Sequence, residues 1–344
     1  MGPGRDARHD LEGTAIKIGF LAPLSGSGQD EGIALLEAAQ LAMEDEAPNP
    51  LPDARRLSIV PRDQSGPWGR ASNEIVRLIY EDQAVAIVTT LDGGSAHLAE
   101  QVGNKVGIPI LTLSTDPTTT QINLPWIFRL GPSDTQQARA FARDIYVARA
   151  LKQVTLITER GHDGRVGGEE FQKAACELNA PPVIQLAIQT PDWNPDSLVS
   201  QIMAQKPGAL VFWTGHETAA RLAQRFRRAL PMAPIYLCHE AAQGRLGTDQ
   251  ENIWIVTSRL AASPVRESFQ RRYRARAGTI PSPAAAQAYD AVRLLAAALR
   301  RSGPNRARLR DALATLSSYT GTSGVIAFDH AGNDLSDVTL VRLP

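Results

Sequence analysis

The segment IKIGFLAPLSGSGQDEG, residues 16–32, sets the pattern on which the whole chain is built. A strand-length apolar run is followed by a glycine- and serine-rich loop, and a helix-length amphipathic stretch then begins at Gly32. The same order recurs at the apolar runs LSIV (57–60), AVAIV (84–88) and IPILTL (108–113), with helical patterns at 32–46, 71–82 and 95–106. Apolar strands that alternate with helices predict a parallel sheet covered by helices on both faces.

The pattern restarts in the second half of the chain. The second set of apolar runs is VTLIT (154–158), VIQLAI (183–188), ALVFW (209–213), IYLC (235–238) and IWIV (253–256). Helical patterns lie at 167–179, 196–205, 217–230, 264–277, 283–301 and 305–317, and the chain closes with strand signals at GVIAFD (324–329) and VTLVRL (338–343). The predicted fold class is therefore α/β, with two doubly wound Rossmann-like lobes.

The composition limits the classes of protein to which the chain can belong. The chain has 344 residues, in which 36 basic and 36 acidic residues balance, so the positive charge expected of a nucleic-acid-binding protein is missing. No apolar run approaches the roughly 20 residues that a membrane-spanning helix needs. Cys176 and Cys238 are expected to be free thiols, with a disulfide as the alternative. Residues 1–14 lack a signal segment and are expected to form a flexible leader.

Several loops at the predicted carboxyl ends of the strands, where open parallel sheets bind ligands, are rich in glycine, serine and threonine. In GIPILTLSTDPTTT (107–120), an apolar strand ends in a cluster of hydroxyl side chains around Asp116. Small residues and bare backbone amides at helix N-termini suit the binding of polar groups. Capping of the following helix is the alternative role for any one loop.

Enzyme motifs are incomplete. Glu31 stands where a dinucleotide-binding fingerprint has its third glycine, and Gln243 replaces the second zinc-binding histidine in HEAAQ. His162, His216 and His239 are scattered over separate loops, which favours polar loop residues over a metal site. The sequence therefore predicts no catalytic residues, no metal and no cofactor.

Four segments of the chain carry a resemblance to a known family. They are the opening segment 16–32, FRLGPSDTQQARAFA (128–142), AYDAVRLLAAAL (288–299) and YTGTSGVIAFDHAGN (319–333). Together they resemble type I periplasmic solute-binding proteins of the leucine/isoleucine/valine-binding and amide-binding group. The resemblance implies an inter-lobe ligand cleft, an N-terminal lobe of residues 15–132 plus 260–320, and a C-terminal lobe of residues 133–259 plus 321–344.

The resemblance also implies ligand-binding positions in the first lobe. The loop after the third strand holds a ligand carboxylate in the family, and the loop after the fourth strand holds amino and carboxylate groups. The corresponding residues here are Leu91, Asp92, Gly93, Ser114, Thr115 and Asp116. A family hydroxyl is lost at Gly93 unless Ser95 substitutes for it, and a family threonine has become Asp116.

Further positions follow from the same resemblance. Two family aromatic positions of the second lobe correspond to Asp163 and His216, and the acid that pairs with a ligand ammonium corresponds to Glu240. In the first lobe, the loop after the first strand ends in Glu31. Trp68 is a secondary candidate that could cover a ligand or stack on a cation, with packing of its loop as the alternative.

These positions carry an excess of acids and no aligned lysine or arginine. The acids are Glu31, Asp92, Asp116, Asp163 and Glu240. Two like charges about 5 Å apart repel by roughly 3 kcal/mol at an effective dielectric constant of about 20, or about a hundredfold in affinity. We therefore expect a cationic or polar-neutral ligand, although each acid has helix capping as an alternative role.

The function expected from the resemblance is that of an extracytoplasmic solute-binding protein of an ABC importer. Its partners would be a small ligand (an amino acid, amide or amine) and an ABC permease, with no nucleic acid and no membrane-spanning segment. The alternative is a cytoplasmic ligand-sensing regulator of the amide-binding type that controls a partner protein. The missing signal segment favours that alternative.

Overall fold

The computed structural model describes residues 15–49, 51, 55–66, 69–121, 125–181, 183–189, 193–244, 246–247, 251–258 and 263–343. The predicted leader and Trp68 lie outside these residues. The chain divides into two compact units. Unit 1 consists of Met1–Ser114, Thr118–Gly131 and Leu260–Ser336, and unit 2 consists of Thr115–Pro117, Pro132–Arg259 and Asp337–Pro344.

Strands and helices alternate along most of the chain, as the apolar pattern predicts. The strands are β1 (Ala15–Ala22), β2 (Arg56–Asp63), β3 (Ala86–Thr89), β4 (Ile110–Thr112), β5 (Ile127–Arg129), β6 (Val154–Glu159), β7 (Ile184–Ile188), β8 (Ala209–Trp213), β9 (Ile235–Leu237), β10 (Ile253–Ser258), β11 (Tyr319–Thr320), β12 (Val325–Ile326) and β13 (Val338–Arg342). The helices are α1 (Gln29–Glu46), α2 (Arg70–Tyr80), α3 (Gly93–Val106), α4 (Thr118–Gln121), α5 (Asp134–Ala142), α6 (His162–Glu177), α7 (Pro195–Met203), α8 (His216–Ala229), α9 (Pro264–Ala277), α10 (Pro283–Ser302) and α11 (Arg306–Ala314).

Each unit is built on its own sheet. The sheet of unit 1 has the order β2-β1-β3-β4-β5, and its strand pairs are all parallel. The sheet of unit 2 has the order β13-β10-β9-β8-β6-β7 and is parallel except for β13, which runs antiparallel to β10. In both sheets the strand order reverses beside the first strand of the unit, which confirms the predicted doubly wound α/β fold.

Unit 1 has apolar cores on both faces of its sheet because successive side chains of a strand point in opposite directions. In β1, Ile18 and Phe20 pack into the core that contains α1 and α10, whereas Leu21 packs into the core that contains α2 and α3. Gly19 lets α2 approach closely, since a Cβ atom there would lie 2.9 Å from a methyl group of Leu78.

Helix α6 begins earlier than the sequence predicts. The sequence pattern predicts a helix at 167–179, but the structure starts α6 at His162, so Gly164 also lies inside the helix with Gly167 and Gly168 despite the low helix propensity of glycine. Tertiary packing explains these glycines. A Cβ atom on Gly164 would lie 2.1 Å from the carbonyl oxygen of Glu159, and one on Gly167 would lie 1.9 Å from the Trp213 ring.

Apart from the single residue Pro132, which belongs to unit 2, the predicted lobe boundaries differ from the observed units at two places. Residues 321–336 were predicted in the C-terminal lobe, but they belong to unit 1 because two buried carboxylates of that unit hold them. Asp290 accepts hydrogen bonds from the backbone N–H groups of Thr322 (2.8 Å) and Ser323 (2.6 Å) and from both hydroxyls. Asp334 accepts from the backbone N–H of Gly131 at 3.1 Å.

The second difference concerns residues 115–117, which were predicted in the N-terminal lobe and belong to unit 2. Two contacts within unit 2 hold this short segment. The carbonyl oxygen of Thr115 accepts a hydrogen bond from the backbone N–H of Asp134 at 2.7 Å. The carboxylate of Asp116 is bonded to His162.

Two further sequence expectations concern the cysteines and the membrane. Cys176 is exposed and Cys238 is buried, and both are free thiols, as predicted. Among the described residues, no helix combines the length and the apolar character that crossing a membrane requires.

We predict that Asp290→Ala lowers the free energy of unfolding by about 2–4 kcal/mol, because it leaves the N–H and O–H donors of buried Thr322 and partly buried Ser323 without their acceptor. Urea unfolding followed by circular dichroism measures this loss. Asp311→Asn is the matched control, since the Asp311 side chain is 62% exposed and a surface pair contributes little. Equal stability of the Asp290→Ala and Asp311→Asn proteins would contradict this role of Asp290.

Candidate ligand-binding residues of the two units

Hydroxyl groups join the ends of β3 and β4 in unit 1. The Thr89 hydroxyl donates to Thr112 Oγ1 at 2.8 Å, and the backbone N–H of Ser114 donates to the same oxygen at 3.1 Å. All three residues are buried. The hydroxyl-rich end of this strand therefore fixes the start of the β4 loop, residues 113–117, relative to β3.

Asp92 acts as the N-cap of α3. Its carboxylate accepts hydrogen bonds from the backbone N–H groups of Gly94 (3.1 Å) and Ser95 (3.2 Å) and from the Ser95 hydroxyl. The two residues beside it in the chain, Leu91 and Gly93, are buried. In unit 1 Asp92 therefore has the helix-capping role that was its alternative in the sequence. A contact between Asp92 and a ligand stays a prediction.

The loop before α3 also contains a candidate that the sequence reasoning missed. The hydroxyl of Thr90 is buried and has no hydrogen-bond partner among the residues that the structure describes. A buried hydroxyl without a partner is costly, so a solute or a water molecule bonded to it would be favoured. The sequence feature that could have pointed to Thr90 is its position directly before the LDGGS loop, residues 91–95.

Glu31 lies in the first turn of α1 and is partly buried. Burial and, to a smaller extent, the negative charge of Asp92 raise the pKa of its carboxyl group from 4.5 to about 7. The two acids are therefore close enough in unit 1 to influence each other. At neutral pH, Glu31 is divided between its protonated and ionised forms.

Asp63 shows the opposite behaviour at the end of β2. It accepts hydrogen bonds from the backbone N–H groups of Leu24 (2.9 Å) and Ser65 (3.0 Å) and from the Ser25 hydroxyl (2.6 Å). Partial burial acts to raise its pKa, but these hydrogen bonds outweigh burial and lower the pKa to about 2. Asp63 therefore holds the loop after β1 as an ionised acceptor.

Asp116 is the most enclosed acid of the predicted set, with 1% of its surface exposed. Within unit 2, His162 Nε2 donates to Asp116 Oδ2 at 2.6 Å. His162 is the first residue of α6, and its side chain is 35% exposed. In the sequence His162 is one of several scattered histidines, and only the fold brings it to Asp116.

Asp163 follows His162 in the first turn of α6. A carboxylate at this position is stabilised by the partial positive charge of the helix N-terminus. Asp163 is therefore a negative group of unit 2 next in the chain to His162, the partner of Asp116.

His216 and Glu240 come together at the start of α8. His216 Nδ1 donates to the carbonyl oxygen of Ala241 at 3.1 Å, and a Cβ atom on Gly244 would lie 2.5 Å from His216 Nε2. A Cβ atom on Gly215, the residue before His216, would lie 3.6 Å from Glu240 Oε1. The structure thus places Asp163 and His216 at the N-termini of α6 and α8, and Glu240 in the turn after β9, all at the carboxyl edge of the unit 2 sheet.

Glu159, which the sequence analysis did not single out, fixes this helix start. Its carboxylate accepts a hydrogen bond from the backbone N–H of Gly215 at 3.1 Å and another from the Thr218 hydroxyl. The end of β6 is thereby joined to the first turn of α8, where amide groups lack partners within the helix.

A buried hydrogen-bond network connects α5 with the loops that follow β8 and β9. Asp134 Oδ1 accepts from Trp213 Nε1 and from Gln137 Nε2, each at 3.2 Å, and Gln137 Oε1 accepts from the backbone N–H of His239 at 2.8 Å. Beside it, burial and then the charge of Glu240 raise the pKa of the Cys238 thiol. This network holds the ends of β8 and β9 relative to α5.

The candidate residues of each unit offer groups that form hydrogen bonds, and their contact with a ligand stays a prediction. Hydroxyls and helix N-termini offer hydrogen-bond donors, while Asp116, Asp163 and Glu240 offer acceptors for a positive or polar group. Asp92 is already used as a cap, and Glu31 is only partly ionised at neutral pH.

Solved structures of solute-binding proteins share this fold. The leucine-binding protein LivK of Thermotoga maritima matches with a TM-score of 0.85 and 23% identity, over 96% of this chain and 95% of that chain. LivJ of Streptococcus pneumoniae, in complex with isoleucine, matches with a TM-score of 0.84 and 22% identity over 96% of both chains. A solute-binding protein of an ABC transporter from R. palustris, in complex with benzoate, matches with a TM-score of 0.86 and 22% identity, over 96% of this chain and 93% of that chain. At these identities the likeness establishes the fold alone.

Sequence comparison gives the family. A curated relative, glutamate receptor 3.1 of Oryza sativa subsp. japonica, is 28% identical over 177 residues, which is 50% of this chain and only 17% of that receptor. The sequence model described as "Periplasmic binding protein" matches residues 15–342. Because that match takes in both units, the chain belongs to the periplasmic binding protein family.

Proposed function

We propose that the protein is an extracytoplasmic solute-binding protein of an ABC importer, which captures a small ligand and presents it to an ABC permease. The family match over residues 15–342 supports this function. The similar solved proteins named above bind leucine, isoleucine or benzoate, which are all small organic molecules. Closure of two lobes around the ligand is the capture mechanism that the resemblance to type I proteins implies.

We further propose that the ligand is an amine, an amide or an amino-acid-like molecule with a positive or polar-neutral group. The observation that carries this proposal is the buried carboxylate of Asp116, bonded to His162 within unit 2. A buried carboxylate repels a ligand carboxylate and attracts an ammonium, and low water content strengthens both effects. Glu240 and Asp163 add negative charge of the same sign in unit 2.

The neighbouring His162 reduces the negative charge at Asp116 but does not reverse the preference of this site for a positive or polar-neutral ligand group. When the imidazole is protonated, the Asp116–His162 pair is neutral, and when it is not, the pair carries one negative charge. Neither state gives the pair a net positive charge, so a ligand with only a carboxylate gains no counter-ion from it. A ligand with an ammonium or amide group gains an acceptor in both states.

A thermal-shift and calorimetric panel tests the ligand class. We expect binding to come from the positive or polar-neutral members, L-ornithine, L-arginine, putrescine, L-glutamine and acetamide. We expect little binding from benzoate, which has only a carboxylate. We expect weaker binding from L-leucine and L-isoleucine than from the first group, because their side chains add no positive or polar group for the acids Asp163 and Glu240 of unit 2. Ligand that binds the folded state raises the melting temperature by mass action. Micromolar binding of leucine or benzoate, with no binding by the first group, would contradict the proposed class.

The role of Asp116 is tested by Asp116→Asn, which keeps the shape and an acceptor oxygen for His162 while removing the charge. We expect affinity for the tightest cationic panel member to fall by roughly ten- to a hundredfold, because one buried charge pair is lost. Asp196→Asn is the control in unit 2, since the Asp196 side chain is 81% exposed. An unchanged dissociation constant for Asp116→Asn would exclude a charge contact between Asp116 and the ligand.

The raised pKa of Glu31 predicts how stability depends on pH. Folding raises this pKa from 4.5 to about 7, so the folded state holds the proton more tightly. The contribution of Glu31 to stability is therefore full below pH 4.5 and is lost as the pH rises towards 7. Urea unfolding at pH 5 and pH 8 should show a smaller pH-dependent loss in Glu31→Gln than in the natural protein.

Asp30→Asn is the matched control for this measurement. Asp30 lies in the same turn of α1 and is exposed, so its substitution should leave the pH-dependent difference in unfolding free energy unchanged. If Glu31→Gln and the natural protein lose the same stability between pH 5 and pH 8, Glu31 is ionised throughout that range and the assignment is wrong.

A further inference from the structure

A histidine of unit 1 bonds to the residue that follows the β4 loop. His97 lies on α3, the helix that Asp92 caps, and Thr118 is the first residue of α4, directly after the β4 loop. The distance between His97 Nε2 and Thr118 Oγ1 is 2.8 Å. The imidazole of His97 therefore connects α3 with the first residue of α4, which directly follows the β4 loop.

A buried acid determines the orientation of this imidazole. Glu100 lies one helical turn after His97, and its Oε2 accepts a hydrogen bond from His97 Nδ1 at 3.0 Å. With the proton on Nδ1, the neutral ring presents Nε2 as an acceptor, and the Thr118 hydroxyl donates to it. The contacts thus form a directed chain from Thr118 through His97 to Glu100.

The burial of Glu100 is costly for a residue that only fills space. Its side chain is 1% exposed, and its second oxygen, Oε1, has no hydrogen-bond partner among the described residues. An apolar residue of similar size would avoid the loss of carboxylate hydration. The cost is understandable if the carboxylate is needed to hold the histidine in one tautomer and one orientation.

We propose that Glu100 and His97 are positioning residues that hold Thr118, and with it the β4 loop with Ser114, Thr115 and Asp116, in the geometry required for ligand binding. The effect on affinity rests on the proposed function, whereas the effect on the loop does not. A loop that is already fixed loses less conformational entropy when a ligand binds, so the ligand binds more tightly. No sequence motif identifies this chain of contacts, because His97 and Thr118 are separated by a strand.

Hydrogen exchange of the unliganded protein, read by mass spectrometry on peptides covering residues 110–121, tests the positioning. We expect His97→Ala and Thr118→Val to raise exchange in these peptides by about fivefold, as the loss of the His97–Thr118 hydrogen bond predicts. Thr118→Ser, which keeps the hydroxyl, should restore protection. His330→Ala is the control, because His330 is an exposed histidine of the same unit. Unchanged exchange in both His97→Ala and Thr118→Val would overturn the inference.

Two further measurements separate positioning from a general loss of stability. The 15N-imidazole spectrum of the natural protein should show His97 protonated on Nδ1, and a proton on Nε2 alone would overturn the directed chain. The double variant His97→Ala/Thr118→Val should exchange little faster than either single variant, since both remove the same bond. Additive effects in the double variant would count against a shared bond.

The effect on ligand binding is measured as the affinity for the compound of the panel described above that binds most tightly. We expect a roughly fivefold loss of affinity in His97→Ala and recovery of affinity in Thr118→Ser relative to Thr118→Val. Unchanged affinity in His97→Ala, with a binder in hand, would overturn the role in binding. If no panel member binds the natural protein, the proposed ligand class fails, and the hydrogen-exchange result still decides whether the loop is positioned by this chain.

Discussion

The constraint on which the structure depends is that parallel strands end at one edge of their sheet and are followed there by helix N-termini. The first amide groups of each helix have no partner within the helix, so the chain must supply acceptors at that edge. It supplies carboxylates: Asp92 at α3 and Glu159 at α8. The same edge is where a polar solute finds donors that are already oriented. Helix capping and ligand recognition therefore draw on the same small set of positions.

This shared location explains why the acids have different roles although they look equivalent in the sequence. Asp63 and Asp92 are surrounded by backbone N–H and hydroxyl donors, and they act as fixed acceptors for their own loops. Glu31 has few such donors and is dominated by burial, which raises its pKa. Asp116 is buried beside an imidazole. The environment, and not the residue type, decides which carboxylate is available to a solute.

The long C-terminal segment shows how buried carboxylates also define the units. Asp290 in α10 binds the backbone at residues 322 and 323, and the burial of this carboxyl group raises its pKa despite its four hydrogen bonds. Gly321 allows the close approach, since a Cβ atom there would lie 2.4 Å from Asp290 Oδ2. Asp334 likewise binds Gly131, the last residue of the segment of unit 1 that precedes α5. Polar contacts, and not strand hydrophobicity, keep this segment in unit 1.

The sequence by itself determined the alternation of strands and helices, because the period of apolar residues is a local property that each segment carries alone. It also determined that polar loops follow β3 and β4, and it picked out Asp116. Tertiary structure alone decided that α6 starts at His162, since its glycines are explained by the close approach of Glu159 and Trp213. It also decided the partners His162 for Asp116 and Thr118 for His97, which lie 46 and 21 residues apart in the chain. Such pairs form only when the sheets bring distant loops together, and no local pattern records them.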